Sequence, residues 1–200
     1  SALADLIDKI QKSMDEIADL APHGYFIKSG TCSTKHQSKP VPVHNGVEAV
    51  HHLLPCLPVA RALKKCRAGG FLIKPWDDKV NDSNEIRVFV RNERVVGVSQ
   101  QACYAVAPIM NMIDANDIIL ACQRCYDDFQ SKLPPEHRFN YECTFDAYFV
   151  AEDDGVRVRL IEINSEAFGW GPAGSSLFHW EYEAPPQSNE SPVFYIVGSY

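Results

Sequence analysis

The sequence predicts an α+β fold in which the sheets are largely antiparallel. Segments with strand character follow one another in pairs joined by short turns, and segments with helical periodicity separate these pairs. Strict alternation of single strands and helices, the pattern of a parallel sheet, is not seen. The chain has 200 residues, of which 46% are apolar, so it can bury a core as one large domain or as two lobes that share a cleft.

The N-terminal region predicts a helix, a strand and a second helix. The residues YFIK at 25–28 form a short strand, and the small and polar residues that follow, up to Gly46, predict a loop that is mobile without a ligand. A second helix begins near Val47 and is interrupted by Pro55 and Pro58. The first helix spans residues 3–20, where apolar residues recur at helical spacing: Leu3, Leu6, Ile7, Ile10, Met14, Ile17 and Leu20.

The rest of the chain predicts three strands, a helix and two further strands. Asn92-Glu93 indicates a hairpin turn between the second and third of these strands, and the turn-rich residues 151–155 join the last two. The polar and proline-rich residues 184–192 predict a loop or linker. The strands are FLIKPW at 71–76, EIRVFVR at 85–91, RVVGVSQQ at 94–101, YECTFDAYFV at 141–150 and VRVRLIEIN at 156–164, and the helix spans 114–132.

Charge and composition exclude several classes of protein. The net charge of −7 and the pI near 5.5 argue against binding to nucleic acid or to an anionic membrane through bulk charge. No stretch approaches the ~18 unbroken apolar residues of a membrane span, and the N-terminus lacks a signal-peptide pattern. Seven scattered cysteines indicate a reducing compartment, so we expect a cytosolic or nuclear protein.

Cys122 and Cys125 have the spacing of a zinc-binding pair. A structural zinc site needs two more ligands at similar spacing, and Cys103 and Cys143 stand alone. We therefore interpret the pair as ordinary thiols.

Oxygen-bearing side chains lie in the last two predicted strands. Glu162 and Asn164 are two residues apart, so a regular strand points both to one face, which it shares with Val158 and Leu160. Counting back from the hairpin turn places Asp146 near Glu162. Carboxylate and amide oxygens suit magnesium, whose coordination is usually completed by substrate phosphates. The spacing leaves an alternative open, in which the acids lie on a solvent-exposed face and Glu162 pairs with an arginine of its own strand.

Basic residues interrupt three of the apolar strands. Lys28 ends the first strand directly before the small-residue loop, Lys74 lies within FLIKPW, and Arg87 lies within EIRVFV. Such a residue either reaches solvent or faces a buried anion. The sequence contains neither Gly-x-x-x-x-Gly-Lys-Ser/Thr nor Gly-x-Gly-x-x-Gly, so a nucleotide, if bound, is held in another way.

The order of these motifs resembles the cell-division-cycle-123 family of ATP-grasp proteins, from about Tyr25 to Trp180. FIK followed by SGTCSTKH is similar to a lysine-ended strand and loop of that family, and FDAYF, IEINS and LFHWEYE look like its last blocks. The most specific match lies in LIKPW and NEIRVFVRNERVVGVSQQ, through Trp76, Glu85, Arg87, Phe89, Val90, Ser99 and Gln100.

The resemblance implies an ATP-grasp-like fold with two lobes and mostly antiparallel sheets that enclose a nucleotide cleft. An N-terminal helical segment and a small lobe with a phosphate-binding loop would occupy residues 1–70, and the core lobe residues 71–200. The magnesium of ATP would be bound by Asp146, Glu162 and Asn164. Lys28 and Lys74 would contact the phosphates or the adenine edge of the nucleotide. Trp76 would lie at the hinge between the lobes, and Arg87 would approach the triphosphate.

Three functions follow as hypotheses. Members of that family act as assembly chaperones for translation initiation factor 2 by binding its gamma subunit, so the resemblance implies a cytoplasmic chaperone that binds ATP and magnesium. The alternative is an ATP-grasp ligase that joins a carboxylate to an amine through an acyl phosphate, although no catalytic residue can be assigned. The third is an α+β interaction module without a nucleotide.

One proposed magnesium ligand departs from the family pattern. Glu162 stands where the family has aspartate, and glutamate also ligates magnesium.

Overall fold

The computed structural model describes residues 2–29, 41–55, 70–101, 106, 113–138, 142–153, 155–164 and 191–195. The chain forms two compact units, Ser1–Asp78 and Lys79–Tyr200. The division falls after Asp78 rather than after residue 70, because the strand at Phe71–Pro75 pairs with the N-terminal strand and so belongs to the first unit.

The first unit contains two helices and a two-stranded antiparallel sheet within its described residues. The helices are α1 (Ala2–Asp15) and α2 (Gly46–Leu53), and the strands are β1 (Tyr25–Ser29) and β2 (Phe71–Pro75). The core of this unit combines the apolar side of α1 with α2 and with one face of the sheet.

Helices α1 and α2 of the first unit approach each other closely. The backbone N–H of Gly46 donates to Gln11 Oε1 at 2.8 Å, and a Cβ at Gly46 would lie 2.5 Å from the carbonyl oxygen of Ile7. Only glycine fits this contact without a shift of the backbone. Helix α1 ends at Asp15, earlier than predicted, and a 3₁₀ turn at Ala18–Leu20 follows it.

The second unit is built on a five-stranded sheet with the order β6-β5-β3-β4-β7. All described neighbours pair antiparallel except β4 and β7, which pair parallel. The strands are β3 (Glu85–Arg91), β4 (Arg94–Gln100), β5 (Glu142–Glu152), β6 (Gly155–Asn164) and β7 (Val193–Tyr195). Helix α3 (Ala115–Lys132) precedes β5, and a 3₁₀ turn at Pro135–His137 lies between them.

Helix α3 packs against one face of this sheet, which we call the helix face. The core there contains alternate residues of the two central strands, for example Val88 of β3 and Phe145 of β5, both essentially inaccessible to solvent. The helix contributes Ile118, Ala121, Cys122 and Tyr126. Because side chains alternate along a strand, the residues between these apolar positions point to the opposite face.

The turn between β3 and β4 confirms the predicted hairpin. Asn92 and Glu93 have φ values of 48° and 63°, the left-handed values that a two-residue hairpin turn of type I′ requires at both central positions. The two strands pair antiparallel from Arg91 opposite Arg94 onwards.

The predicted α+β class with largely antiparallel sheets is confirmed, and the order of the predicted elements holds. Strand β7 was missed, because a three-residue strand is too short to show a periodicity. The predicted loop at residues 30–40, the continuation of the second predicted helix at residues 56–69, and residues 184–190 fall outside the described residues. Among the described helices, none has the length and apolar character needed to span a membrane.

Candidate functional site

The face of the second unit's sheet that lies opposite the helix face carries polar side chains. Arg87 of β3 lies between Ser99 of β4 and Asp146 of β5 in the strand register, and Asp146 lies opposite Glu162 of β6. Two residues before Asp146 on β5, Thr144 lies opposite Asn164, the last residue of β6. We call this set the polar face: Arg87, Ser99, Thr144, Asp146, Glu162 and Asn164.

A β-bulge in β6 decides which face Glu162 takes. Val158 and Leu160 pack into the core beneath α3, on the helix face. The register then shifts by one residue, leaving Ile161 without a partner on β5 and bringing Glu162 opposite Asp146. One extra residue reverses the alternation of side chains. The prediction that Glu162 shares a face with Val158 and Leu160 is therefore wrong, whereas its position beside Asp146 is confirmed.

Arg87 and Asp146 form a buried two-pronged ion pair. Arg87 Nε donates to Asp146 Oδ1 at 2.7 Å, and Arg87 Nη2 donates to Asp146 Oδ2 at 2.9 Å. The side chains are 6% and 2% exposed. Burial alone lowers the pKa of Arg87, but the hydrogen bonds and charge of Asp146, with smaller effects of Glu162 and Glu85, raise that pKa above its ordinary value. Arg87 is thus held as a cation among acids.

Two buried polar atoms of the polar face lack hydrogen-bond partners among the described residues. They are Thr144 Oγ1 and Asn164 Nδ2, and they belong to residues that lie directly opposite each other on β5 and β6. A buried polar atom without a partner costs about 1–3 kcal/mol of folding free energy. Most buried polar groups in folded proteins have a hydrogen-bond partner, so two neighbouring groups without one are unusual. Such groups are typical of ligand-binding sites.

The donor set on the polar face fits magnesium. The ion commonly takes one or two carboxylates from the protein and leaves its other positions to water and phosphate. Asp146 and Glu162 are neighbouring carboxylates, and Asn164 adds an amide oxygen. Within the described residues no three His, Cys, Asp or Glu side chains converge, so the third protein ligand would be that amide. Arg157, one arginine that could have paired with Glu162, forms an ion pair with Glu152 at 2.9 Å.

Lys28, Lys74 and Trp76 belong to the first unit. Lys28 of β1 and Lys74 of β2 share the face of their sheet that points away from the core, because Phe26 lies opposite Lys74 and Lys28 opposite Leu72. Lys74 Nζ lies 5.1 Å from the centre of the Phe26 ring, within range of a cation–π contact. The backbone N–H of Trp76 donates to the carbonyl oxygen of Gly24, directly before β1, at 2.8 Å.

The described cysteines of the second unit are free thiols in apolar surroundings. Burial raises the pKa of Cys122 well above its ordinary value, raises that of Cys125, and raises that of Cys143 to about 12. Zinc binds the thiolate, so raised pKa values disfavour a metal at Cys122 and Cys125.

We expect the second unit to lose stability in alkaline solution. Burial raises the pKa of Cys143 from 9.0 to about 12 and that of Tyr126 from 10.0 to about 12. The folded state therefore retains protons that the unfolded state loses. The stabilisation is fully present below about pH 9. It falls above about pH 9 for Cys143, by at most about 1.4 kcal/mol per pH unit, and above about pH 10 for Tyr126 as well, until the folded pKa values are passed. Urea unfolding between about pH 8 and pH 11 measures this slope.

The variant Cys143→Val is the matched comparison for this slope. It should unfold with a shallower dependence on pH than the wild type, because one of the groups whose pKa is raised by folding is gone. An identical slope in both proteins would contradict the assignment to Cys143.

Comparisons with known proteins identify the family. A family model described as D123 matches residues 62–199, well over half of the chain. The chain belongs to the D123 family. Two structures of Cdc123 from Schizosaccharomyces pombe match it at 18% identity over 98% of this chain and 79% of theirs, with TM-scores of 0.62 for one and 0.63 for a C-terminally truncated form.

The D123 match confirms the resemblance to the cell-division-cycle-123 family. At 18% identity the structural likeness shows the fold, an α+β arrangement with antiparallel and mixed sheets. A search of curated proteins by sequence found no match.

Four of the residues predicted from the sequence lie together on the polar face of the second unit's sheet: Arg87, Asp146, Glu162 and Asn164. Thr144 was not among these candidates and was predicted only as a residue of a strand. The signal available for Thr144 was its two-residue spacing from Asp146, which places both on one face.

Proposed function

We propose that this protein binds ATP together with Mg²⁺ on the polar face of its second unit. The observation that carries the proposal is the pair of buried partnerless atoms, Thr144 Oγ1 and Asn164 Nδ2, beside a buried arginine and two neighbouring carboxylates. The hydroxyl and the amide N–H₂ are donors, and so is a guanidinium, so this part of the face suits an anionic oxygen.

The charges of the polar face support a magnesium–phosphate ligand over a bare anion. Arg87 contributes one positive charge, and Asp146 and Glu162 contribute two negative ones. The face by itself is therefore net negative and repels a phosphate. A divalent cation held by Asp146, Glu162 and Asn164 reverses that sign. Bound magnesium would supply a positive charge that neutralises and orients the phosphate oxygens.

Membership of the D123 family extends the proposal to assembly. In this proposal the chain has an ATP-grasp-like architecture and acts as an assembly chaperone for a protein complex such as translation initiation factor 2, through its gamma subunit. It works in the cytoplasm, where free thiols such as Cys122 and Cys143 stay reduced. The nucleotide roles of Lys28, Lys74 and Trp76 remain predictions from the resemblance.

Isothermal titration of ATP, with and without magnesium, tests the nucleotide part. We expect binding by the wild type that depends on magnesium, and an affinity at least about tenfold lower for Glu162→Gln, which removes a carboxylate ligand but keeps the side-chain volume. Glu162 is half-buried and Arg87 takes its two-pronged pair from Asp146, so this variant leaves the buried ion pair intact.

Glu142→Gln is the matched control. Glu142 also lies on β5 opposite an arginine of β3, on the same side of the sheet, and it accepts a hydrogen bond from Arg91 at 2.7 Å, but it is not one of the proposed ligands. Its variant should bind ATP as the wild type does. Absence of magnesium-dependent binding to the wild type would overturn the proposal. The assembly part is tested separately, by measuring whether the purified gamma subunit binds this protein more tightly when ATP and magnesium are present.

A further inference from the structure

We propose that Thr144 is a ligand-binding residue of the polar face, whose hydroxyl donates a hydrogen bond to a phosphate oxygen of the bound nucleotide. This inference rests on the proposed function and deepens it. It concerns a residue for which the sequence motifs suggest no role. Three observations carry it: the burial of Thr144, the lack of a partner for its hydroxyl, and its neighbours.

The Thr144 side chain is placed where a hydroxyl is costly. The residue is fully buried, and Oγ1 has no hydrogen-bond partner among the described residues. Thr144 lies in the middle of a sheet, between Phe89 of β3 and Asn164 of β6. A valine has the same shape and would avoid the cost, so packing alone does not account for a hydroxyl here.

The neighbouring polar groups do not use the Thr144 hydroxyl. Along β5, Asp146 on one side accepts two hydrogen bonds from Arg87, and Glu142 on the other side accepts one from Arg91. The hydroxyl therefore lies between two arginine–carboxylate pairs and is bonded to neither.

Ser99, also on the polar face, shows the contrast. Its hydroxyl is equally buried but donates to the carbonyl oxygen of Gln100 at 3.1 Å. The Ser99 hydroxyl thus has a partner within the protein, whereas the Thr144 hydroxyl, within the described residues, has its donor available for a ligand. Asn164 Nδ2, directly opposite, is available in the same sense. Two adjacent donors form a cradle for one anionic oxygen.

The test compares Thr144→Val and Thr144→Ser in the full chain, with two measurements on each. The first is the affinity for ATP with magnesium by titration calorimetry. The second is the melting temperature without nucleotide. Thr144→Val should bind ATP about tenfold more weakly and melt at the wild-type temperature or about 2–4 °C above it, because a buried donor without a partner is removed. Thr144→Ser keeps the hydroxyl and should retain the affinity.

Ser99→Ala is the control for the stability measurement. It removes a hydroxyl that has a partner, so its melting temperature should fall rather than rise.

Each other outcome has a definite meaning. If the wild type and Thr144→Val bind ATP equally, the inference about Thr144 is wrong while the proposed function stands. If Thr144→Val melts below the wild type, the hydroxyl supports the fold and the inference is overturned. If the wild type binds no ATP, the proposed function fails and the inference fails with it.

Discussion

Arg87→Met should lower the free energy of unfolding of the second unit by about 3–5 kcal/mol. The variant removes both hydrogen bonds to Asp146, at 2.7 and 2.9 Å, and leaves a carboxylate that is 2% exposed without its cation. The cost of an uncompensated buried charge is much larger than the net gain from the pair. Equilibrium unfolding in urea, followed by circular dichroism, measures the difference.

Arg91→Met is the matched control for this prediction. Arg91 occupies an equivalent place on β3, opposite Glu142, but its side chain is 15% exposed and that of Glu142 is 28% exposed. Water compensates the remaining charge there, so we expect a loss of about 1 kcal/mol or less. Equal losses in the two variants would contradict the role assigned to burial.

A double variant separates the loss of the ion pair from the cost of the unpaired charge that Arg87→Met leaves on Asp146. Arg87→Met combined with Asp146→Leu removes both charges and should recover most of the stability lost by Arg87→Met alone. It should also abolish the proposed binding of ATP with magnesium, because a ligand carboxylate is gone. Stability and binding would then be separated in one protein.

Asn84→Asp should cost about 3 kcal/mol or more, although it changes only one amide to a carboxylate. Asn84 is buried, and its Nδ2 donates to the carbonyl oxygens of Lys79 at 2.7 Å and Phe149 at 3.0 Å. Its backbone carbonyl also accepts from the N–H of Phe149 at 3.1 Å. An aspartate would place a negative oxygen against two carbonyl oxygens and would release the segment before β3 from β5.

Asn81→Asp is the comparison for that variant. Asn81 lies on the same segment and is exposed, and its Oδ1 accepts from the N–H of Ser83 at 2.9 Å, a bond that a carboxylate preserves. The variant loses the donation from Asn81 Nδ2 to the carbonyl oxygen of Lys79 at 3.2 Å, but that bond is exposed, so water replaces it. Its loss in unfolding free energy should stay within about 1 kcal/mol. Hydrogen exchange of the Phe149 amide reports the local effect, and it should increase in Asn84→Asp alone.

The elements of the fold were predictable because their signals are local. The amphipathic spacing in α1 and α3, the run of apolar residues in β3 and the two turn residues Asn92 and Glu93 each depend on a few neighbours in sequence. The same reasoning misplaced the end of α1, since Ile17 and Leu20 continue the apolar spacing while the helix stops at Asp15. A helix end depends on hydrogen bonds that the spacing of apolar residues does not encode.

The sequence of β6 contains a signal for its bulge. Arginine occupies the odd positions 157 and 159, whereas the polar residues further along occupy the even positions 162 and 164. In a strand with one polar face, such a change of parity requires one extra residue, and the structure places it at Ile161. The pairing partner of Arg87 carried no comparable signal.

The sequence by itself determined the kind and order of the elements, the antiparallel hairpins, and the chemical identity of the residues that bear charge and oxygen. Only the tertiary structure decided that Glu162 turns to the polar face, that Arg87 pairs with Asp146, and that Thr144 and Asn164 are buried opposite each other without partners among the described residues. Local periodicity sets secondary structure, because it reflects neighbours along the chain. Cross-strand register and burial depend on residues far apart in sequence, such as Arg87 and Asp146, and no local pattern specifies which of them meet.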